Sequence, residues 1–248
     1  MDAYRNSWAA ELAAAQAWWR EAGVDLAFAD EATDWLAGAR ATKDAASPVA
    51  PPKVAPAPPT APPRIGGARA SWPTTLADFG AWWLTEPTVD PAPAARRVLP
   101  SGPGHAALMV LVPTPEPEDR ETLLAGPRGR LLEAILAAFG FARSEVYLAS
   151  ALPCPTPVAD WPQLASTGMR EVLAHHVALA APRRLIVFGR DVSPLLGHDP
   201  AQASTNSLEF NHDGGTVPLA FAPALEALLE RPALKRGLWR RWLDWTGT

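Results

Sequence analysis

The sequence contains very little cysteine: Cys154 is the only one among 248 residues. A single thiol cannot close a disulfide within the chain, and by itself it cannot form a cysteine-ligated zinc or iron–sulfur site. The composition therefore excludes a disulfide-stapled scaffold of the secreted type and favours a reducing compartment. Stability must come from an apolar core, which 48% apolar residues can supply.

Long apolar runs and an excess of positive charge are also missing. No run reaches the roughly 20 apolar residues that a membrane-spanning helix needs, so we expect a soluble, cytoplasmic protein with no membrane partner. The formal net charge of -4 argues against sequence-independent coating of nucleic acid, although local basic patches can still contact phosphate.

Proline is abundant instead, and it is concentrated in one segment. Eight of the 28 prolines fall within residues 47–63. Each of them lacks a backbone N–H and has φ fixed near −65°, so this segment forms neither a helix nor a central strand. We predict an extended linker over residues 41–70, which joins an N-terminal arm (1–40) to a domain (71–248).

The arm is rich in alanine and tryptophan. Its apolar spacing predicts a helix that ends near Gly23, followed by a short second helix up to Leu36. Two interpretations remain open. Either the arm docks on the domain of its own chain, or Trp8, Trp18 and Trp19 anchor a partner protein, since tryptophan is enriched in interface hot spots.

Strands and helices alternate after the linker. Continuous apolar runs predict strands buried on both faces, at 106–113, 145–152 and 184–188. Helices are predicted at 128–139, 166–180 and 224–245, with a hairpin around 211–215. This order is typical of a three-layer α/β/α domain with a mostly parallel sheet, whose ligand crevice lies at the carboxyl ends of the strands.

The predicted strand ends carry few reactive groups. Glu116, Glu118 and Asp119 follow the first strand; they are either candidates for a general base or acids of the next helix's first turn, favoured by its dipole. Cys154 follows the second strand with no histidine close in sequence, which favours a structural thiol over a nucleophile. His175 and His176 point about 100° apart on a helix and do not form a metal-binding pair.

The last helix combines basic residues with tryptophans. Its pattern is typical of a solvated amphipathic helix, with phosphate contact as the alternative. The candidates for DNA contact, if they converge on one surface, are Arg128, Arg130, Lys235, Arg240 and Arg241.

Taken in order, several segments resemble the uracil-DNA glycosylase superfamily, specifically its iron–sulfur family 4, over about residues 96–245. They are 107–112, 126–132, 146–148, 182–189 and 232–235 with Trp239. Residues 18–25 also look like the Trp-rich leader of proteobacterial members, which a Pro-rich linker follows. The resemblance implies the glycosylase fold and, for an active member, hydrolysis of an N-glycosidic bond in base excision repair.

The residues that carry this chemistry in the family are replaced here. By the resemblance, Pro113 takes the place of the hydrolytic Glu, Leu124 that of the aromatic residue that stacks on the flipped uracil, Ser150 that of the Asn that reads the base, and Ala222 that of the His in the His-Pro motif. Of the four cluster cysteines only Cys154 remains, with Met169 at the fourth place. We therefore expect no catalytic residue, no cofactor and no metal.

A second resemblance concerns residues 222–228 and 231–234. They are similar to the psi subunits of the bacterial DNA polymerase III clamp-loader assembly, a family with a glycosylase-like fold, no activity and a Trp-bearing N-terminal peptide that binds the clamp-loader collar. This resemblance implies a degenerate adaptor in the bacterial cytosol or nucleoid. Its expected partners are replication or repair proteins, clamp-loader subunits among them, with DNA bound directly or through a partner.

Two other functions remain open at this point. One is a divergent active glycosylase that uses Glu116 or Glu118 as its base. The other is a stand-alone DNA-binding module that uses the basic candidates named above.

Overall fold

The structure is a computed structural model, and it describes residues 2–23, 64–199 and 208–247. The chain divides into two compact units, Met1–Pro59 and Thr60–Thr248. In the first unit, helix α1 spans Asp2–Glu21, and its C-terminal end is marked by Gly23 with φ 84°. The predicted second helix near Leu36 and the predicted linker up to residue 63 lie outside the described residues.

The second unit contains a five-stranded sheet. Its strands are β1 (Met109–Val112), β2 (Tyr147–Ser150), β3 (Leu185–Phe188), β4 (Leu208–His212) and β5 (Gly215–Ala222). Their order is β2-β1-β3-β5-β4, and every neighbouring pair is parallel except β4 with β5. The predicted mostly parallel sheet and the predicted hairpin are confirmed.

The register of the parallel strands brings their carboxyl ends to one edge. Val112 of β1 lies opposite Ser150 of β2, and Phe188 of β3 lies opposite Ala222 of β5. The segments that follow these residues therefore meet along the same edge, where ligand crevices form in open α/β sheets.

Helices cover both faces of the sheet. The helices of the second unit's described part are α2 (Leu76–Thr85), α3 (Pro127–Ala138), α4 (Trp161–Thr167), α5 (Met169–Ala180), α6 (Leu225–Glu230) and α7 (Ala233–Thr246). The Thr75 side chain caps α2 by accepting a hydrogen bond from the Asp78 amide at 3.1 Å.

Two predicted helices are each broken in two. The helix predicted at 166–180 is divided between α4 and α5 by Gly168, whose φ of 123° is incompatible with a helix. The terminal helix predicted at 224–245 is divided between α6 and α7 at Arg231 and Pro232. Proline lacks the amide hydrogen that would continue α6, and it disfavours helical geometry in the residue before it.

The alternating side chains of the strands enter two apolar clusters, one on each face of the sheet. The first cluster contains Met109 and Leu111 of β1 with Phe79 and Trp83 of α2 and buried residues of α5. The second contains the intervening strand residues with α3, α6 and α7. The predicted three-layer α/β fold is thus observed, preceded by the helix of the first unit. None of the described helices has the length and apolarity that a membrane span requires.

Candidate functional site at the carboxyl ends of the strands

An open cleft of about 540 Å³ follows the carboxyl edge of the sheet. The segments after β1 and β2 supply about half of its lining, and five of the lining residues are prolines: Pro113, Pro115, Pro117, Pro155 and Pro157. Proline has no amide hydrogen, so these walls offer few backbone donors to a bound anion. Trp161 of α4 and Gly189 after β3 complete this part of the lining.

Three of the four positions that the resemblance assigned to chemistry lie at this edge without a free polar group. Pro113 follows β1, and its carbonyl accepts a hydrogen bond from the Leu152 amide at 3.2 Å. The buried Ser150 hydroxyl donates to the Leu152 carbonyl at 2.7 Å. Ala222 is fully buried at the end of β5, and its carbonyl accepts from the Gly189 amide at 3.1 Å.

The fourth position, Leu124, closes the space between the strand ends. Leu124 is buried and has a left-handed backbone conformation, with φ 55°. Together with Val112, Pro113, Phe188 and Leu225 it lines a pocket of only about 40 Å³. Ligand pockets in proteins usually measure about 300–1,000 Å³, so a nucleobase does not fit this pocket as it stands.

Asp119 holds the loop that carries Leu124. Its buried carboxylate accepts hydrogen bonds from the amides of Glu116 and Leu124, both at 2.8 Å, and of Ala125 at 2.9 Å. These hydrogen bonds offset the conformational free energy that the left-handed backbone of Leu124 costs. Sequence reasoning missed this role, because it depends on amides up to six positions further along the chain.

The expectation that the acids after β1 belong to a helix's first turn is wrong, since α3 begins only at Pro127. Glu116 is buried instead, with one oxygen 3.3 Å from the Arg128 Nε and the other accepting from the Gly126 amide at 3.3 Å. Burial raises the pKa of Glu116, against the opposing effect of Arg128. Glu118 is exposed and does not line the cleft.

Arg128 is neutralised by two carboxylates. Besides its contact with Glu116, its Nη1 lies 2.5 Å from a Glu226 oxygen. The lining of the cleft also contains three exposed charged residues, Asp191, Glu230 and Arg231. Acids thus balance or outnumber bases along the cleft, which gives it little attraction for a phosphate backbone.

The other candidates for DNA contact lie apart from the cleft. Arg130 on α3 and Lys235 and Arg240 on α7 are exposed. Arg241 is half-buried beside Phe221 and Trp245, where burial and the nearby Arg190 lower its pKa. Arg128 is paired with carboxylates and Arg241 is half-buried, and DNA contact by these residues stays a prediction.

Cys154 does not fit the iron–sulfur cluster of family 4. Its buried thiol donates to the Arg96 carbonyl at 3.4 Å, burial raises its pKa to about 11, and one cysteine cannot supply the four thiolate ligands of such a cluster. Met169, at the fourth ligand place, is buried in the apolar core. Within the described ranges no group of three or more metal-ligating side chains occurs.

The tryptophans of α1 are exposed, as partner anchors would be. The exposed fractions are 72% for Trp8, 61% for Trp18 and 52% for Trp19, and the last two rings meet edge to face with their centres 4.9 Å apart. Large aromatic surfaces of this kind are costly to leave in water. Partner binding by this helix stays a prediction.

Comparison with known proteins concerns the second unit. The sequence profile of the uracil DNA glycosylase superfamily matches residues 99–232, which is more than half of the chain. The match contains all five strands and the four positions that the resemblance assigned to chemistry. No curated protein matches the sequence.

Proposed function

The chain belongs to the uracil DNA glycosylase superfamily, and from this we propose that it is a catalytically degenerate member that acts as an adaptor in DNA replication or repair. The observation that carries this proposal is the small volume, about 40 Å³, of the pocket that Leu124 lines at the strand ends.

Loss of activity follows from what base excision requires. An enzyme that flips a base must offset an unpairing cost of a few kcal/mol with stacking and hydrogen bonds in a fitted pocket. Here the polar atoms of Ser150 and Ala222 are engaged within the chain, and Leu124 and Pro113 are apolar. Losing one catalytic group typically lowers a rate by about 10²–10⁴, and here several positions are changed together.

The alternative of a divergent active enzyme depends on Glu116 or Glu118. A general base must reach the water that it activates. Glu116 is buried and paired with Arg128, and Glu118 lies outside the cleft lining, so neither is placed for that role.

The adaptor role is supported by the organisation of the chain. A helix with three exposed tryptophans is followed in the sequence by the proline-rich segment 47–63, and the glycosylase-like domain comes after it. An anchoring helix on a stiff spacer is what a linking protein needs. In its most specific form, which the similarity to psi subunits supports, the adaptor binds clamp-loader subunits through Trp8, Trp18 and Trp19.

Catalytic degeneracy is tested by an excision assay on uracil-containing single- and double-stranded DNA, with an active superfamily member as positive control. We expect no cleavage above the enzyme-free background, because the pocket does not admit the base. Multiple-turnover excision would contradict the proposal. The variants Glu116→Gln and Glu118→Gln would then identify the base.

The adaptor role is tested by co-purification of the full chain with purified bacterial clamp-loader subunits, beside a form that lacks residues 1–40. We expect retention by the full chain, and loss both in the truncated form and in the double variant Trp18→Ala/Trp19→Ala. Gln16→Ala, a change of an exposed residue on the same helix, is the matched control.

The proposal that the adaptor binds clamp-loader subunits through its arm is wrong if no subunit is retained, or if retention persists without the arm. Strong, salt-dependent DNA affinity of the isolated full chain would instead favour the DNA-binding module.

A further inference from the structure

A groove of about 300 Å³ lies between α3 and α7, on the face of the domain that these helices cover. Its lining is apolar apart from one lysine, and consists of Leu131, Ala134, Ile135, Ala138, Phe139, Lys235, Leu238 and Trp239. We call it the α3–α7 groove. It has no residue in common with the strand-end cleft.

The walls of the α3–α7 groove are held in place by aromatic packing. Phe139 stacks on the buried Trp242 with ring centres 3.9 Å apart and planes 6° from parallel, and the Trp239 ring follows at 6.1 Å from Phe139. Trp239 nevertheless remains 40% exposed, and the alanines on the α3 side are exposed as well. A rigid apolar concavity binds a ligand without the cost of ordering its walls.

One basic residue lies in the lining of this groove, and others lie on the exposed sides of the two helices that form it. Lys235 lies in the lining, and Arg236 and Arg240 follow on the exposed side of α7. In the part of the chain that the structure describes, no carboxylate forms an ion pair with these three residues. Arg130 lies one helical turn before Ala134 on α3 and adds a fourth exposed cation.

We propose that the α3–α7 groove binds an acidic segment of a partner protein, which inserts apolar side chains between the helices while its carboxylates face Lys235, Arg236 and Arg240. The apolar lining supplies the affinity, and the basic rim selects the sign of the partner's charge. None of the residues that line it belongs to α1, and the proposal does not depend on the loss of excision activity.

Single-stranded DNA is the competing occupant, because exposed tryptophan beside arginine can stack on a base. Such binding uses successive aromatic platforms along a continuous track of cations. The groove instead has Trp239 as its exposed ring, with the half-buried Phe139 stacked against it, and the rest of its apolar lining is aliphatic. Apolar side chains fit this lining better than flat bases do.

The test begins with selection from a phage-displayed library of random peptides of about 12 residues on the immobilised full chain. Enriched peptides are then synthesised and their affinity is measured by fluorescence anisotropy. The blocking variant is Ala134→Glu, which places a charged side chain in the groove. The matched control is Ala137→Glu, the same change at an exposed alanine of the same helix outside the lining.

We expect enriched peptides with Asp or Glu beside Leu, Ile or Phe, at least about tenfold weaker binding to Ala134→Glu, and unchanged binding to Ala137→Glu. Lys235→Glu should weaken binding and reduce its dependence on salt. The proposal is overturned if selection gives no peptide that distinguishes the two alanine variants, or gives basic peptides. It is also overturned if an oligothymidylate of about 20 nucleotides binds with the same dependence on Ala134, or if Ala134→Glu merely abolishes self-association of the chain.

Discussion

His176 shows at the scale of single residues how tertiary contacts change a side chain's chemistry. Its Nε2 shares a hydrogen bond of 2.8 Å with the Tyr147 hydroxyl, and its ring stacks on Phe79 at 4.1 Å. Burial, with a smaller effect of the neighbouring His175, lowers its pKa to about 3. The histidine therefore stays neutral in the folded domain through most of the acidic range.

This environment predicts a pH dependence of stability. Between pH 6.5 and about 3 the unfolded chain takes up a proton at His176 that the folded chain does not, so stability is lost as the pH falls. We expect a loss of roughly 1 kcal/mol per pH unit from this residue, measured by urea unfolding at several pH values.

The double variant Tyr147→Phe/His176→Phe should lack the loss of stability that protonation of His176 causes at low pH. It removes both hydrogen-bonding partners and keeps apolar rings in the core. His105→Asn is the control: the residue is exposed, and asparagine tolerates its left-handed φ of 56°. If the double variant keeps the full acid sensitivity of the native chain, our assignment to His176 is wrong.

At the scale of elements, α3 closes the strand-end pocket by lying very near the loop that carries Leu124. A Cβ placed on Gly129 of α3 would be 1.7 Å from the Leu124 carbonyl oxygen. Only glycine permits this approach. The close packing of the helix on this loop, together with the Asp119 hydrogen bonds, thus leaves a pocket of only about 40 Å³ beside Leu124.

Substitution by alanine is therefore expected to change the free energy of unfolding in opposite directions at two glycines within helices. Gly129→Ala should destabilise the domain by about 1–3 kcal/mol, because α3 or the Leu124 loop must move. Gly237→Ala on α7, where an added Cβ meets nothing within 4 Å, should stabilise it by about 0.5–1 kcal/mol through helix propensity. Urea unfolding of both variants beside the native chain measures the difference. Effects of the same sign would contradict our account of α3.

At the scale of the whole molecule, the two compact units have separate tasks in the proposed function. Every described member of the two apolar clusters lies at residue 65 or beyond, in the second unit. The first unit carries the exposed tryptophans of α1. Stability and partner binding are thus assigned to different parts of the chain.

Removal of residues 1–59 should therefore leave a domain that unfolds cooperatively. We expect its unfolding free energy to stay within about 0.5 kcal/mol of the full chain's, since no described core residue is removed. Urea titration followed by circular dichroism and by tryptophan fluorescence compares the two forms. A non-cooperative transition, or a large drop in the urea midpoint, would refute this division of tasks.

Residue types alone were enough to predict the fold class, because continuous apolar runs identify strands buried on both faces. The identities of Pro113, Leu124, Ser150 and Ala222 also led to the prediction that the reactive residues are replaced. The breaks at Gly168 and Pro232 were also encoded locally, but helical periodicity on both sides concealed them.

The tertiary structure was needed for every feature that depends on neighbours distant in sequence. It placed Glu116 against Arg128 rather than in a helix, paired Arg128 with a second carboxylate, Glu226, and buried His176 against Tyr147. It also formed the α3–α7 groove from helices about a hundred positions apart. Side-chain patterns predict which elements form, whereas burial, charge pairing and cavity size follow from how those elements pack.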